Sequence, residues 1–358
     1  MRPGKLCGLA VVVAVAATAC GGGGGGGTGE DSSASGRGGS GFPVRVTDCK
    51  GAPTTFSSPP RKIVTSNAAA LEMLLRLGAG DRVIGTGFPP GKGALPGELG
   101  AQAQRVPVLG KHIIPKEKLL GSGADLYIDT FAAMGAMGGA GDAPTPEEFR
   151  AAGIKHLYLA STACAPMAAA PQRDLSGVER DIERLGAVTG TAPRAKELVA
   201  GMRAKTAAVH KAVGAVPEKQ RPTYFLFDYD AGTKQPMAVC RKQVANAVIT
   251  QAGARNVFDG CDGDFKPVSW EDVVAKDPDW IQLAVRNRGD AAATDQAFDQ
   301  AAAFLRDFPA TKGLTAVRKG HFLRIGSERT TIAGVRNADT VEEIAHTVHP
   351  DRFPAAHR

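Results

Sequence analysis

The sequence predicts an α/β protein made of two Rossmann-like lobes. Each lobe is a parallel sheet flanked by helices, and one long α-helix joins them and leaves a cleft between them. Three observations predict this. First, a segment occurs twice, 154 residues apart. Glu117-Lys118-Leu119-Leu120 runs on to Asp125-Leu126-Tyr127-Ile128, and Glu271-Asp272-Val273-Val274 runs on to Asp279-Trp280-Ile281-Gln282. In each copy a glutamate opens a short helix, and an aspartate eight residues later introduces an apolar strand. A repeat of this kind implies two similar lobes in one chain. Second, short apolar runs alternate with helical patterns along both halves, as parallel βαβ units require. Third, a long amphipathic stretch over about 193–213 separates the halves, with Arg194, Lys196, Glu197, Arg203 and Lys205 on its charged side. A length of 358 residues suits two domains.

The chain opens on an export signal. Arg2 and Lys5 precede a 14-residue apolar run, Leu6 to Ala19, that ends in small residues. That is the pattern of a signal peptide over 1–19, and it is too short to span a bilayer, which takes about 20 residues. Ala17-Thr18-Ala19-Cys20 resembles a bacterial lipobox, with Ala17 where leucine is usual. Ala-x-Ala is equally an ordinary cleavage site, but a cysteine directly after the cut suits lipidation better than an oxidising space. Cys20 is therefore expected to carry a lipid. Residues 20–43, with the glycine run 21–27, form the anchor and a flexible Gly/Ser-rich tether. These features predict a lipoprotein on the extracellular face of the cell membrane.

Six cysteines are present. Cys7 leaves with the leader and Cys20 is the anchor. Cys49, Cys164, Cys240 and Cys261 remain, an even number in an exported chain. Pairing Cys49 with Cys164 and Cys240 with Cys261 keeps each bridge inside one lobe. The second closes a loop of about 20 residues, worth about 3 kcal/mol in the loop-entropy model. A zinc site and free buried thiols are the alternatives, although no C-x-x-C occurs.

The N-terminal lobe is expected over 44–190. Arg61-Lys62-Ile63-Val64-Thr65 reads as a strand, and Ser66-Asn67 can cap a helix over 68–77 that Gly78 stops. Arg82-Val83-Ile84-Gly85 is a second strand. Val106-Pro107-Val108 is a third, at an edge because of its proline. The first repeat copy supplies a short helix and the strand Leu126–Asp129. Thr145-Pro146-Glu147-Glu148 starts a helix with a capping box, Gly153 ends it, and 155–160 is the next strand. From Leu175 the pattern is helical, with interruptions at Gly186 and Gly190. The bridging helix takes 191–214. The C-terminal lobe, 215–358, has strands at 223–228, 280–285 and 321–325 and helices at 244–252, 269–275 and 340–349.

Hydrophobic content of 43% and charge of 22% are ordinary for a globular protein. The formal charge is +7, of which Arg2 and Lys5 in the leader supply two, leaving +5 without a dense Lys/Arg run. That argues against nucleic acid and for a modest bias toward an anionic ligand. No G-x-S-x-G elbow, Walker A loop, H-E-x-x-H or G-x-G-x-x-G after a strand is present. Glu117 and Glu271 belong to separate lobes, so they do not form a catalytic carboxylate pair. Neither enzymatic activity nor a cofactor is expected. His112, His156, His210, His321, His346, His349 and His357 show no metal-ligand spacing. Met134 and Met137, in a Gly/Ala-rich loop, read as packing residues.

Several segments, in their order and spacing, resemble the solute-binding proteins of ABC importers that handle iron-siderophores, haem and cobalamin. They are Ser66-Asn67 with Glu72 and Leu77-Gly78, Asp81-Arg82-Val83-Ile84-Gly85, the two repeat copies, Ala252-Gly253-Ala254-Arg255-Asn256-Val257-Phe258 and Gly334-Val335-Arg336-Asn337. They are spread over about 44–353. The resemblance implies a monomer that works with a membrane permease and its ATPase, with a ligand held between the lobes. It also implies that Glu117 and Glu271 meet arginines on the permease. The plain alternative is that each complements a helix N-terminus, worth about 0.3–1 kcal/mol. A symmetric transporter needs one contact per lobe, which favours docking. The expected cargo is a ferric siderophore, with cobalamin, haem or a deazaflavin-coenzyme precursor as alternatives. The deazaflavin option rests on the likeness of Asp48-Cys49, Ser161-Thr162-Ala163-Cys164 and the Gly334 segment to actinobacterial proteins assigned that cargo. A structural surface lipoprotein without a ligand is the reading of a different class.

In such a fold the cleft lies outside the carboxyl ends of the parallel strands. That rule nominates Asn67, Phe88, Lys111, His112, Thr130 and Phe131 from the first lobe. From the second it nominates Tyr229, Asp230, Arg241, Phe265, Arg286, Arg288 and Arg329, with Arg336 nearby. Arginines offer planar forks to carboxylate, phosphate or hydroxamate oxygens, and aromatic faces hold a flat or greasy ligand body. Phe131 and Phe265 are equally good core residues. The pocket is expected to be cationic, and direct capture of a bare metal ion is not expected.

Overall fold

The structure, a computed structural model, describes residues 41–131 and 143–353. The expected signal peptide, the Cys20 anchor, residues 20–40 of the tether, Met134, Met137 and His357 lie outside the described residues. The described chain starts with an antiparallel hairpin, β1 (Val44–Thr47) and β2 (Pro53–Phe56). The first lobe then alternates β3 (Ile63–Thr65), α1 (Ala68–Arg76), β4 (Val83–Thr86), α2 (Gly97–Gln104), α3 (Lys116–Leu120), β5 (Leu126–Asp129), α4 (Pro146–Ala151) and β6 (Lys155–Tyr158). After α5 (Ala160–Ala163) and α6 (Ser176–Thr189) comes the long helix α7 (Ala192–Val213). The second lobe runs β7 (Thr223–Asp228), β8 (Met237–Val239), α8 (Val244–Gln251), β9 (Arg255–Asn256), β10 (Phe265–Pro267), α9 (Trp270–Lys276) and β11 (Trp280–Ala284). It ends with α10 (Ala291–Asp307), α11 (Thr315–Lys319), β12 (Phe322–Arg324), α12 (Ser327–Thr331) and α13 (Asn337–Val348).

The two main sheets share one plan. The first has the order β4-β3-β5-β6 and the second β12-β11-β7-β9, and all pairings in both are parallel. In each, the lobe's first strand lies between its neighbours in the same relation, as the sequence repeat requires. The repeated aspartate explains the register. Asp125 accepts the backbone N–H of Arg61 and Lys62 at 2.7 and 3.0 Å. Asp279 accepts the N–H and Oγ1 of Thr223 at 2.8 and 2.7 Å. Each carboxylate thus fastens the amino end of the central strand beside it and satisfies donors that precede the sheet ladder.

Helix α7 packs on α6 of the first lobe and on α13 and α8 of the second. One apolar core runs through this region, from Leu71 and Leu74 of α1 through Val199 and Val209 of α7 to Tyr224 and Ile344. A second core, around Phe225, Phe227, Trp270, Phe298 and Leu305, fills the far side of the second lobe. The expected break at Gly186 does not occur. A Cβ there would lie 2.4 Å from Cβ of Ala195, so this glycine lets α6 and α7 touch rather than ending a helix. Gly190, at φ 71°, is the true stop.

Val106–Val108 does not form a strand, and only a single bridge joins Val108 to Thr86. Helix α10, 17 residues capped by Asp290, was not anticipated. Both expected disulfides are present: Cys49–Cys164 ties the N-terminal hairpin to the segment after β6, and Cys240–Cys261 ties the end of β8 to the turn after β9.

Candidate ligand-binding site

The carboxyl ends of the first sheet carry an aromatic face. Phe88 follows β4 in the left-handed region, at φ 32°, unusual for a side chain with a Cβ. Its N–H donates to the carbonyl of His112 at 3.1 Å and its carbonyl accepts from Ala68 N–H at 3.0 Å. Those two bonds hold a conformation that costs on the order of 1–3 kcal/mol. The result sets the Phe88 ring 5.5 Å from His112, edge-on, and 6.5 Å from Phe131. Lys111 beside them is exposed.

The carboxyl ends of the second sheet carry paired charges. Asp228 accepts the N–H of Asp230 and of Ala231, both at 3.1 Å, and so caps the turn holding Tyr229 and Asp230. Asp230 accepts the N–H of Arg286 at 2.6 Å and pairs with the Arg288 guanidinium. The Arg286 guanidinium lies 3.8 Å from Asp228 and remains half exposed. Burial raises the Asp228 carboxyl above its usual range; Arg286 opposes the rise and Asp230 adds to it.

The lobes meet next to both features. Lys92 N–H donates to the Gly289 carbonyl at 2.7 Å. A Cβ on Gly91 would come within 2.1 Å of Asn287 Oδ1, so any larger residue would have to push the Asn287 side chain aside. The loop that begins at Phe88 therefore abuts the loop that carries Arg286 and Arg288. A second interlobe contact lies at Arg336, whose Nε sits 2.8 Å from the buried Glu72 and whose Nη1 donates to the Ala94 carbonyl at 3.1 Å.

Several nominated residues are committed elsewhere. Asn67 is buried: its Oδ1 caps α1 through Ala69 and Ala70, and its Nδ2 donates to Thr130 at 2.5 Å. Thr130 is fully buried by the same network. Phe265 packs on Leu226, Val239, Ala245 and Ala284 in a small core. Tyr229 leans on Phe227 and Phe304 at the edge of the second core. Arg241 pairs with Asp262 at 2.8 Å, Arg329 with Glu343 at 2.6 Å, and Arg336 with Glu72. The expected convergence of free arginines does not occur, because every nominated arginine has a carboxylate partner. Arg286 and Arg288 are the two that stand at strand ends. Trp270 is buried and donates to the Thr233 carbonyl, while Trp280 stacks on His321 at the amino end of β11. Glu117 and Glu271 are exposed, each in the first turn of a short helix in its own lobe. Among the described residues no three His, Cys, Asp or Glu side chains are grouped to hold a metal ion.

Two lobes with matched parallel sheets abut near the carboxyl ends of their strands, and comparison with known proteins gives the class to which this arrangement belongs. A family model for periplasmic binding proteins matches residues 63–328, so the chain belongs to the periplasmic binding protein family. It is a substrate-binding protein of an ABC transporter. A periplasmic binding protein from Veillonella parvula is 26% identical with a TM-score of 0.70, over 86% of this chain and 97% of that one. An ABC-type Fe3+-hydroxamate transport system from Saccharomonospora viridis has the same identity and TM-score, over 86% of this chain and 99% of its own. The uncharacterized ABC transporter substrate-binding lipoprotein YvrC of Bacillus subtilis (strain 168) is 22% identical over 317 residues, 87% of each chain.

Proposed function

We propose that this protein is the extracytoplasmic, lipid-anchored binding component of an ABC importer, and that it captures a ferric siderophore and delivers it to a permease driven by an ATPase. The observation that carries the reading is that the loop beginning at Phe88, whose ring gathers with His112 and Phe131, abuts the loop that carries Arg286 and Arg288. Aromatic faces suit the organic body of a chelate, and guanidinium groups suit its oxygens. The half-exposed arginines can exchange a carboxylate partner for a ligand oxygen at little desolvation cost. The Saccharomonospora relative, with its Fe3+-hydroxamate system, supports a hydroxamate cargo. The aromatic face would equally seat a flat macrocycle or a deazaflavin ring, so haem, cobalamin and a deazaflavin-coenzyme precursor form the second reading.

Cys20 would hold the body at the membrane, and Glu117 and Glu271 would meet the permease, one per lobe. The test is uptake by cells carrying Glu117→Ala with Glu271→Ala. Uptake should fall at least ten-fold while the purified double variant binds cargo as tightly as wild type. Unchanged uptake would remove both glutamates from docking.

A further inference from the structure

A second cluster of arginines lies away from the cleft. Arg221 precedes β7 and Arg255 opens β9, at the amino ends of the second sheet. The cleft residues Asp228, Asp230 and Arg286 stand at the opposite, carboxyl ends. Arg241, in the turn after β8, and Arg173, in the segment between α5 and α6, line the same open pocket. Glu218 and Asp259 also line it.

The charge here is not internally balanced. Arg241 pairs with Asp262. Among the described residues, Arg173, Arg221 and Arg255 have no carboxylate within ion-pair distance, and neither Glu218 nor Asp259 reaches a guanidinium. The Arg221 Nε–H goes to the Val216 carbonyl at 3.3 Å. The Nε of Arg255 is buried and donates to nothing. A buried donor without an acceptor is unfavourable, and three cations facing one pocket repel one another. An oxyanion with several oxygens would relieve both.

The pocket also lies on an interlobe seam. Gln172, the residue before Arg173, donates its N–H to the Arg241 carbonyl at 2.9 Å and its Nε2 to the Lys242 carbonyl at 2.6 Å, and its carbonyl accepts from Asn246 Nδ2 at 2.9 Å. Arg173 is thereby fixed from the first-lobe side against the three arginines of the second.

We propose that this pocket is an anion-binding site distinct from the cargo cleft, and that it takes a phosphate-class oxyanion. Guanidinium forks match the paired oxygens of phosphate, and four of them on one pocket exceed what a solvated surface needs. The phosphate can come from free solution or from an anionic phospholipid headgroup.

The test uses the full chain as its Cys20→Ala form, which cannot carry a lipid. Inorganic phosphate is titrated by calorimetry. In parallel, sedimentation with phosphatidylglycerol vesicles is compared with phosphatidylcholine vesicles. Saturable phosphate binding, weakened at least ten-fold in Arg221→Gln with Arg255→Gln and several-fold in Arg173→Gln, supports a free-oxyanion site. Vesicle binding that needs phosphatidylglycerol and falls in the same variants supports the headgroup form. Arg173 is exposed, so its variant stays informative if the double variant unfolds. No saturable phosphate binding together with no preference for phosphatidylglycerol overturns the proposal, as do responses the variants leave unchanged. Neither readout involves the cleft's cargo, so the outcome is independent of the transport reading.

Discussion

Arg336 was nominated as a ligand residue, but in the structure it clasps the two lobes. Glu72 is 4% exposed and holds two guanidinium groups, Arg76 at 2.7 Å from its own helix and Arg336 at 2.8 Å from the other lobe. Removing one partner of a buried pair costs about 3–5 kcal/mol when the other charge is left alone. In Arg336→Ala the carboxylate keeps Arg76, so the loss is smaller. One charge-assisted hydrogen bond, worth about 1.5–3 kcal/mol, disappears with the bond to Ala94. The expected destabilisation is about 2 kcal/mol, a shift of roughly 3 °C in Tm for a body of this size. Glu72→Gln strands two guanidinium groups and should cost more, about 3–5 kcal/mol. Arg76→Ala should cost less than Arg336→Ala, because it leaves the interlobe contact intact. Thermal melting of the three variants tests this order. Equal melting of Arg336→Ala and wild type would show that solvent screens the pair and that the clasp holds nothing together.

Asp228 gives a pH signature. Its folded carboxyl titrates above the ordinary range, so its stabilising contribution is complete below the unfolded value, near 4, and is lost as pH rises through the folded one. Arg286 and Asp230 are the charged side chains that face it. Wild type should lose more stability across this window than Asp228→Asn, in which the buried Asp181 and Glu328 still titrate, and parallel Tm–pH curves would contradict the assignment. Asp279→Ala should cost about 2 kcal/mol in a denaturant melt, because it strands the part-buried N–H of Thr223. Asp125→Ala should cost less, since its partners are exposed.

The duplicated glutamate–aspartate segment made the two matched lobes legible, since one local unit recurs in each. The capping box at Thr145 is likewise local and sits where the residue pattern puts it. Helix α10 escaped notice because its buried face is mostly alanine, with Phe298 and Leu305 as its large buried side chains. Gly186 was misread because a glycine needed for helix–helix contact looks like a helix stop until the neighbouring helix is in view. The strand-end rule nominated Phe88, Phe131, Arg286 and Arg288, and each follows a parallel strand of the structure. It could not show that Arg241, Arg329 and Arg336 each hold a carboxylate. The Glu72–Arg336 pair spans most of the sequence, and nothing local to either residue announces it.

The most direct test of the transport reading is calorimetric titration of the purified protein with a ferric hydroxamate siderophore, beside a ferric catecholate, haem, cobalamin and a deazaflavin precursor. Calorimetry suits this test better than tryptophan fluorescence because neither Trp270 nor Trp280 stands at the carboxyl ends of the sheets. Saturable one-to-one binding of the ferric hydroxamate, weakened at least ten-fold in Phe88→Ala and in Arg286→Ala with Arg288→Ala, is the predicted result. Binding of another compound in the set, through the same residues, would keep the site and replace the cargo. Binding of none of them would contradict the account.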